Sequence, residues 1–314
     1  MKCVDLAGKK LSAMTIGTVQ LGMNYGIAND SGKPDQEKSF SMLRAAFENG
    51  ITALDTARAY GNSEEVIGNF LKTWEGETPY ITTKIPTYGD KDPALLEKHV
   101  LSSIETSLET LGVSKVDAVM LHNVTDMYLY REKIAKIMEQ LLHRGYTDSI
   151  GVSVYTGEDV QEMLRYGQYT VTQVPMSIFD QRLIASGMTD QLKQRDFTVF
   201  VRSVFLQGLF FLNPDKITDP ILLEHAAPKI RLLKQIAEAE NMSVAQLAIA
   251  FMRDTAGVTS LVLGADTPQQ VRENIAYFDA PSLNEDVMAK LRKEFAFVDI
   301  PEIMKVLSRP KPQN

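Results

Sequence analysis

The sequence predicts an α/β chain folded as a closed (β/α)8 TIM barrel with an N-terminal β-hairpin and extra helices after the seventh strand. Two observations predict it. Eight short apolar runs bounded by turn residues alternate with longer stretches of helical periodicity, the pattern of a parallel sheet built from βα units. The 314 residues are enough for two ordinary domains or one large barrel, and no Pro/Gly/Ser-rich linker or abrupt charge shift divides them. Residues 1–314 therefore read as a single domain.

Residues 3–11 read as two short strands around a glycine turn, placed to lid the bottom of the barrel. The eight barrel strands are Met14–Gly17, Ala53–Asp55, 80–84, 118–122, 149–153, 171–174, Thr198–Arg202 and 261–264. Helical stretches between them cover 35–48, Ser63–Leu71, 92–111, 126–144, 157–166 and 228–240. Within 92–111, Leu96, Val100, Ile104, Leu108 and Leu111 recur every three or four positions, as one face packed on a sheet requires. Roughly sixty residues interrupt the alternation after the seventh strand, and they include an extra helix over 243–254 with Ser243 suited to its N-cap. Thr267-Pro268 reads as the N-cap and first position of a helix after the eighth strand. Residues 310–314 are polar and expected to be loose.

Composition excludes several classes. With 44% hydrophobic and 23% charged residues the chain is neither disordered, collagenous nor a coiled coil. Thirty-three basic against 40 acidic residues give a net charge of −7, which offers no field for gripping nucleic acid. The single cysteine, Cys3, forms no intrachain disulfide, and Asp5 stands where a signal peptide needs an apolar run, so a cytoplasmic location is expected. Residues 11–29 are uncharged and long enough to span a bilayer, yet Gly17, Gln20, Gly22, Asn24 and Gly26 argue against a membrane helix. None of the 19 glycines are spaced Gly-x-Gly, and Met23-Asn24 stands where a P-loop needs Lys-Ser/Thr, so any nucleotide must bind otherwise. His99, His122, His143 and His225 show no close ligand spacing, and no metal is expected.

In a barrel of this type, polar residues at strand C-terminal ends face the active-site mouth. Asp55 ends the second strand, Lys84 the third and His122 the fourth, and Tyr60 lies in the loop five residues after Asp55. Singly, Asp55 could cap a turn, Lys84 could be a solvated strand end and His122 a satisfied core histidine. Together, on three adjacent strand ends and one loop, they suit proton donation to a carbonyl oxygen. A phenol is a poor acid near neutrality, but a neighbouring ammonium favours phenolate and lowers its pKa. Lys84 would supply that field, Asp55 would hold Lys84 charged, and His122 would orient the carbonyl by a hydrogen bond.

The segment Gly50-Ile51-Thr52-Ala53-Leu54-Asp55-Thr56-Ala57-Arg58-Ala59-Tyr60-Gly61-Asn62-Ser63-Glu64-Glu65-Val66-Ile67-Gly68 resembles the signature of the aldo-keto reductases, and Thr83-Lys84 and Leu121-His122 follow where that family places its other two catalytic residues. The resemblance runs from residue 17 to about residue 279 and points to a bacterial member. It implies a barrel that binds an extended nicotinamide cofactor, NADP or NAD, across its C-terminal face. It also implies Tyr60 as general acid/base, tuned by Lys84 and Asp55, and His122 as substrate orienter. The implied activity interconverts an aldehyde or ketone with its alcohol. Residues 17–34 resemble a branch tied to carbohydrates, so the small-molecule partner is expected to be a carbonyl or alcohol, with sugar-derived compounds preferred. The alternative is a barrel that binds the nicotinamide but acts as a regulator or subunit.

The resemblance also implies cofactor contacts: Gly17, Thr18 and Asp55 at the first two strand ends, and Ser153 and Gln173 for the carboxamide, although the asparagine that usually follows the serine is Val154 here. Arg202 replaces an aromatic residue that stacks on the nicotinamide, and a planar guanidinium can stack too. Ser203, Leu206, Gln207 and Gly208 match the pyrophosphate loop. Gly264, Asp266, Gln270 and Asn274 match the adenosine site, where Asp266 and Gln270 stand in place of the basic residues of NADP-using relatives. Tyr25 could line the substrate cavity or merely anchor its loop.

Overall fold

A computed structural model describes residues 1–6, 8–26 and 32–309; the tail expected to be loose, 310–314, lies outside them, as does 27–31 of the first loop. The hairpin comprises β1 (Cys3–Leu6) and β2 (Lys9–Ser12), antiparallel in register from Cys3 opposite Ser12 to Leu6 opposite Lys9. The barrel strands are β3 (Met14–Gly17), β4 (Ala53–Asp55), β5 (Tyr80–Ile85), β6 (Val116–Leu121), β7 (Thr147–Ser153), β8 (Val171–Pro175), β9 (Thr198–Arg202) and β10 (Ser260–Leu263). They pair in parallel in sequence order, and β10 pairs with both β9 and β3 to close the cylinder. All eight expected strands form, to within two residues at either end. His122 and Gly264 fall one residue beyond their strands, and the His122 N–H donates to the Ile85 carbonyl at 3.0 Å.

Leu11 of the hairpin lies fully buried among Ala53, Tyr80, Ala118, Met120, Val171 and Phe200, the inward-facing side chains of the barrel's lower layer. The expected lid is thus a plug. Lys9 ties it down by donating to Asp117 Oδ2 at 2.8 Å, and the same oxygen accepts the Ile81 N–H at 2.7 Å. With the floor filled, space for a ligand remains at the opposite rim, where the strands end.

The helices pack around the outside. Asp92 caps a short 3-10 turn that leads into Leu96–Leu111, whose five periodic apolar residues are all buried and whose C-cap Gly112 has φ 70°. The stretch 126–144, expected as one helix, is two, Thr125–Tyr130 and Glu132–His143, broken at Arg131 with φ 48°. The break lets Met127 of the first piece and Ile134, Met138 and Leu141 of the second reach the core together. The stretch 157–166 stops at Met163, and Thr156 closes its start in a capping box with Asp159. Val244–Arg253 has Ser243 as N-cap, and Pro268–Tyr277 has Thr267. Helices Arg182–Ala185, Met188–Gln194, Pro220–His225, Glu285–Glu294 and Ile300–Leu307 add to those expected.

Candidate active site

Adjacent strands β4, β5 and β6 bring Asp55, Lys84 and His122 to one rim, and the turn after β4 lays Tyr60 over them. Lys84 is buried and donates from Nζ to Asp55 Oδ1 at 2.6 Å, to the Thr56 carbonyl at 3.1 Å and to the Tyr60 hydroxyl oxygen at 3.4 Å. The Tyr60 and His122 rings meet edge to face, with centroids 5.4 Å apart. The four residues that the sequence singles out thus form one cluster.

A backbone contact and a set of buried hydrogen bonds hold the loop that presents Tyr60. A Cβ on Gly22 would lie 1.7 Å from the Tyr60 carbonyl oxygen, and one on Gly61, at φ 56°, would lie 2.3 Å from the Gly22 carbonyl oxygen. Two backbones therefore touch where only glycine fits. Ser63 donates to Thr18 Oγ1 at 2.8 Å, and Thr18 donates to the Asp55 carbonyl at 2.8 Å. Buried Glu64 accepts from Thr83 at 2.6 Å and from Arg58 at 2.8 Å. Together these bonds fix both ends of the turn.

Electrostatics divide the cluster. Burial works to strip the Lys84 proton, but Asp55 and Tyr60 outweigh it, and the Lys84 pKa stands above its ordinary value. The expected fall in the Tyr60 pKa does not occur. Burial raises it above 10 and Asp55 adds to the rise, while Lys84 and Arg202 recover only part. Desolvation of the phenolate is the larger effect here. Burial, reinforced by the charges of Lys84 and Arg202, lowers the His122 pKa from 6.5 to about 4. At neutral pH His122 is therefore uncharged, a hydrogen-bonding group next to a charged lysine and a protonated tyrosine.

A cavity of about 400 Å³ runs from Tyr60 across the rim to the start of helix Pro268–Tyr277. Gly17, Thr18, Asp55, Gln173, Arg202, Ser203, Gln207 and Gly208 border it, as do Gly264, Asp266, Gln270 and Asn274. Ser153 and Leu206 do not: Ser153 is buried at the end of β7, and the Leu206 side chain belongs to the hydrophobic core. Gln173 donates to Asp55 Oδ1 at 2.9 Å, so its amide is already engaged with the Lys84 pair. Arg202 stacks on Tyr155, its guanidinium carbon 4.7 Å from the ring centroid. Tyr25 borders the cavity, as do Gln20, Phe205, Phe211, Glu273 and Tyr277, none of which carried a sequence signal because each is an ordinary loop or helix residue until the fold closes.

Comparison with known proteins agrees with this geometry. Residues 13–294 match the Aldo/keto reductase family. The chain belongs to that family. Among its relatives are an NADH-specific methylglyoxal reductase of Escherichia coli K12, 25% identical over 91% of this chain and 95% of that one, and an L-glyceraldehyde 3-phosphate reductase of Escherichia coli O157:H7, 25% identical over 92% and 90%. The barrel superposes on an aldo-keto reductase from Bacillus halodurans in its holo form with a TM-score of 0.76, at 20% identity and with 93% and 96% of the two chains covered. A glycerol dehydrogenase from Gluconobacter oxydans gives 0.76 at 21% identity, covering 100% and 98%. As an aldo/keto reductase the protein is an NAD(P)-dependent oxidoreductase of the CH-OH group.

The cavity suits such a cofactor. Arg202 and Gln20 border it, and each holds a buried polar atom, Nη2 and Oε1, with no hydrogen-bond partner, as a site that lacks its polar ligand would. Ser203, Leu206, Gln207 and Gly208 take positive φ of 65°, 46°, 56° and 96°, a backbone that curls beside the cavity. The Thr267 hydroxyl accepts the Gln270 N–H at 3.1 Å and its carbonyl the Val271 N–H at 3.2 Å, and Pro268 has no N–H, so Gln269 supplies the remaining first-turn donor for a phosphate. Gln270 Oε1 accepts the Asp266 N–H at 2.6 Å, and Asn274 donates to the Gly264 carbonyl at 3.2 Å, which stiffens the adenosine end. Among the described residues no cluster suits a metal ion, and no helix is long and apolar enough to cross a membrane.

Proposed function

We propose that the protein reduces a small aldehyde or ketone, or oxidises the matching alcohol, with Tyr60 as general acid/base. The observation that carries the reading is the Lys84 ammonium placed on both Asp55 Oδ1 and the Tyr60 oxygen. The nicotinamide, when bound, supplies or accepts the hydride at the carbonyl carbon. Tyr60 gives its proton to the carbonyl oxygen, and the phenolate left behind faces Lys84, whose charge Asp55 maintains. Neutral His122, edge-on to Tyr60, orients the oxygen by a hydrogen bond. Gly17, Thr18, Gln173, Arg202 and Ser203 would line the nicotinamide half, and Gln207, Gly208, Gly264, Asp266, Gln270 and Asn274 the phosphates and adenosine. Ser153 and Leu206 would act from behind that lining.

Substrates of the relatives, methylglyoxal and L-glyceraldehyde 3-phosphate, support a short carbonyl compound, sugar-derived ones included. The whole chain works as one barrel domain, in the cytoplasm. Tyr60→Phe removes the proton donor alone: it should fold, bind cofactor and lose carbonyl reduction by ~10²–10⁴-fold. Retention of more than a tenth of wild-type turnover would place the acid elsewhere. The alternative, a nicotinamide-binding regulator, has no use for the Lys84 to Tyr60 contact; lack of cofactor oxidation across a panel of short aldehydes would favour it.

A further inference from the structure

Arg202 stands out at the end of the cavity nearest Tyr60. It is the only cation among the described residues that line the cavity; the carboxylates there are Asp55, which is paired with Lys84, and Asp266 and Glu273 at the adenosine end. No described carboxylate pairs with Arg202. Its Nη1 reaches only the Ser203 hydroxyl, at 3.5 Å, and its Nη2 is buried with no hydrogen-bond partner. One face of the guanidinium lies against the Tyr155 ring, which fixes the plane in which its N–H groups point. The nearby groups do not offset its charge. Lys84 and Asp55 cancel, and His122 is neutral, so among the described residues the surroundings of the carbonyl position carry one uncompensated positive charge.

A half-buried guanidinium with one unpartnered N–H group inside the protein and no anion among the described residues is costly to maintain, and bidentate recognition of carboxylate or phosphate is what its geometry suits best. We infer that Arg202 anchors an anionic group of the substrate, so that the preferred carbonyl compounds carry a carboxylate or phosphate a few bonds from the aldehyde or ketone. The inference rests on the oxidoreductase reading of the site and narrows its substrate class. Tyr155 positions the guanidinium, and Tyr25, at the same mouth, borders the space that the anion enters.

Matched pairs test it: aldehydes of two to five carbons ending in carboxylate, the same lengths ending in methyl, and glyceraldehyde with and without a terminal phosphate. The readout is the ratio of kcat/KM within a pair, so any general loss of turnover in a variant cancels. Wild type should favour an anionic member at least tenfold, and Arg202→Met and Arg202→Gln should bring that ratio to about one, with partial recovery in Arg202→Lys. The carboxylate and phosphate series show which anion fits. Cofactor affinity is followed separately by fluorescence titration. If Arg202→Met weakens the cofactor more than tenfold and leaves the ratio unchanged, the guanidinium serves a cofactor phosphate and the inference fails. A wild-type ratio near one also overturns it. If no aldehyde is turned over, the oxidoreductase reading fails by itself; calorimetry of 4-hydroxybutanoate against 1-butanol on cofactor-loaded protein then decides the anion preference, and equal or absent binding of the two refutes it.

Discussion

With its ammonium shared between Asp55 Oδ1 and the Tyr60 oxygen, Lys84 opposes the burial that lifts the Tyr60 pKa. Alcohol oxidation requires the phenolate, so its rate rises with pH through that pKa. Lys84→Met removes the charge that favours phenolate and should move the rise to higher pH. A pH profile of kcat/KM for alcohol oxidation checks this, and an unmoved limb would break the pairing. The four clustered residues are legible in the sequence because each is a polar group that ends, or closely follows, a mostly apolar run, within or after the segment that carries the family resemblance. The sign of the Tyr60 shift is not, because it depends on how much water the folded rim removes from the phenol. The Arg202 stack is equally hidden, since Tyr155 follows β7 and Arg202 ends β9, and only the closed sheet brings them together.

Short segments set how these side chains are presented. The backbone contact between Gly22 and Gly61 leaves no room for a methyl group, so Gly22→Ala must push the Tyr60 turn away from Lys84. Turnover should fall more than tenfold and thermal stability should drop, which parallel assays of kcat and Tm would register. The contact between the two glycines cannot be read from the sequence, where Gly22 belongs to no motif and Gly61, though in the signature segment, gives no sign of what it packs against. At the other end of the cavity, Asp266 precedes the helix Pro268–Tyr277, and with the adenosine placed as proposed above its carboxylate would repel a 2′-phosphate and accept hydrogen bonds from free ribose hydroxyls. NADH should therefore compete with NADPH, and Asp266→Arg should shift the preference towards NADPH. A wild-type preference for NADPH above tenfold, about 1.4 kcal/mol, would falsify the repulsion. Helix 96–111 is legible from its apolar period and the glycine after it. Glu285–Glu294 and Ile300–Leu307 are not, because they follow the last strand, where no further alternation calls for a helix.

At the scale of the molecule, chemistry and stability occupy opposite ends of one cylinder. Leu11 is sealed into the floor, so Leu11→Ala leaves a cavity there and should cost about 2–5 kcal/mol. Calorimetry should show a lower Tm, while kcat measured well below the transition stays near wild type, because the floor cluster includes none of Asp55, Tyr60, Lys84 and His122 and meets the cavity lining through Val262. The barrel is legible in the sequence from the count of apolar runs; the inward burial of Leu11 is not, since residues 3–11 read equally as a surface cover. Closure also has a cost in time. Met14 of β3 pairs with Leu261 of β10, so the first barrel strand to leave the ribosome waits for a partner made about 250 residues later. At a synthesis rate of ~5–20 residues per second, the wait is roughly ten to fifty seconds. During it, β3 offers an open edge to other chains, and the fold that later hides every edge of its sheet is for that interval as exposed as any unfinished one.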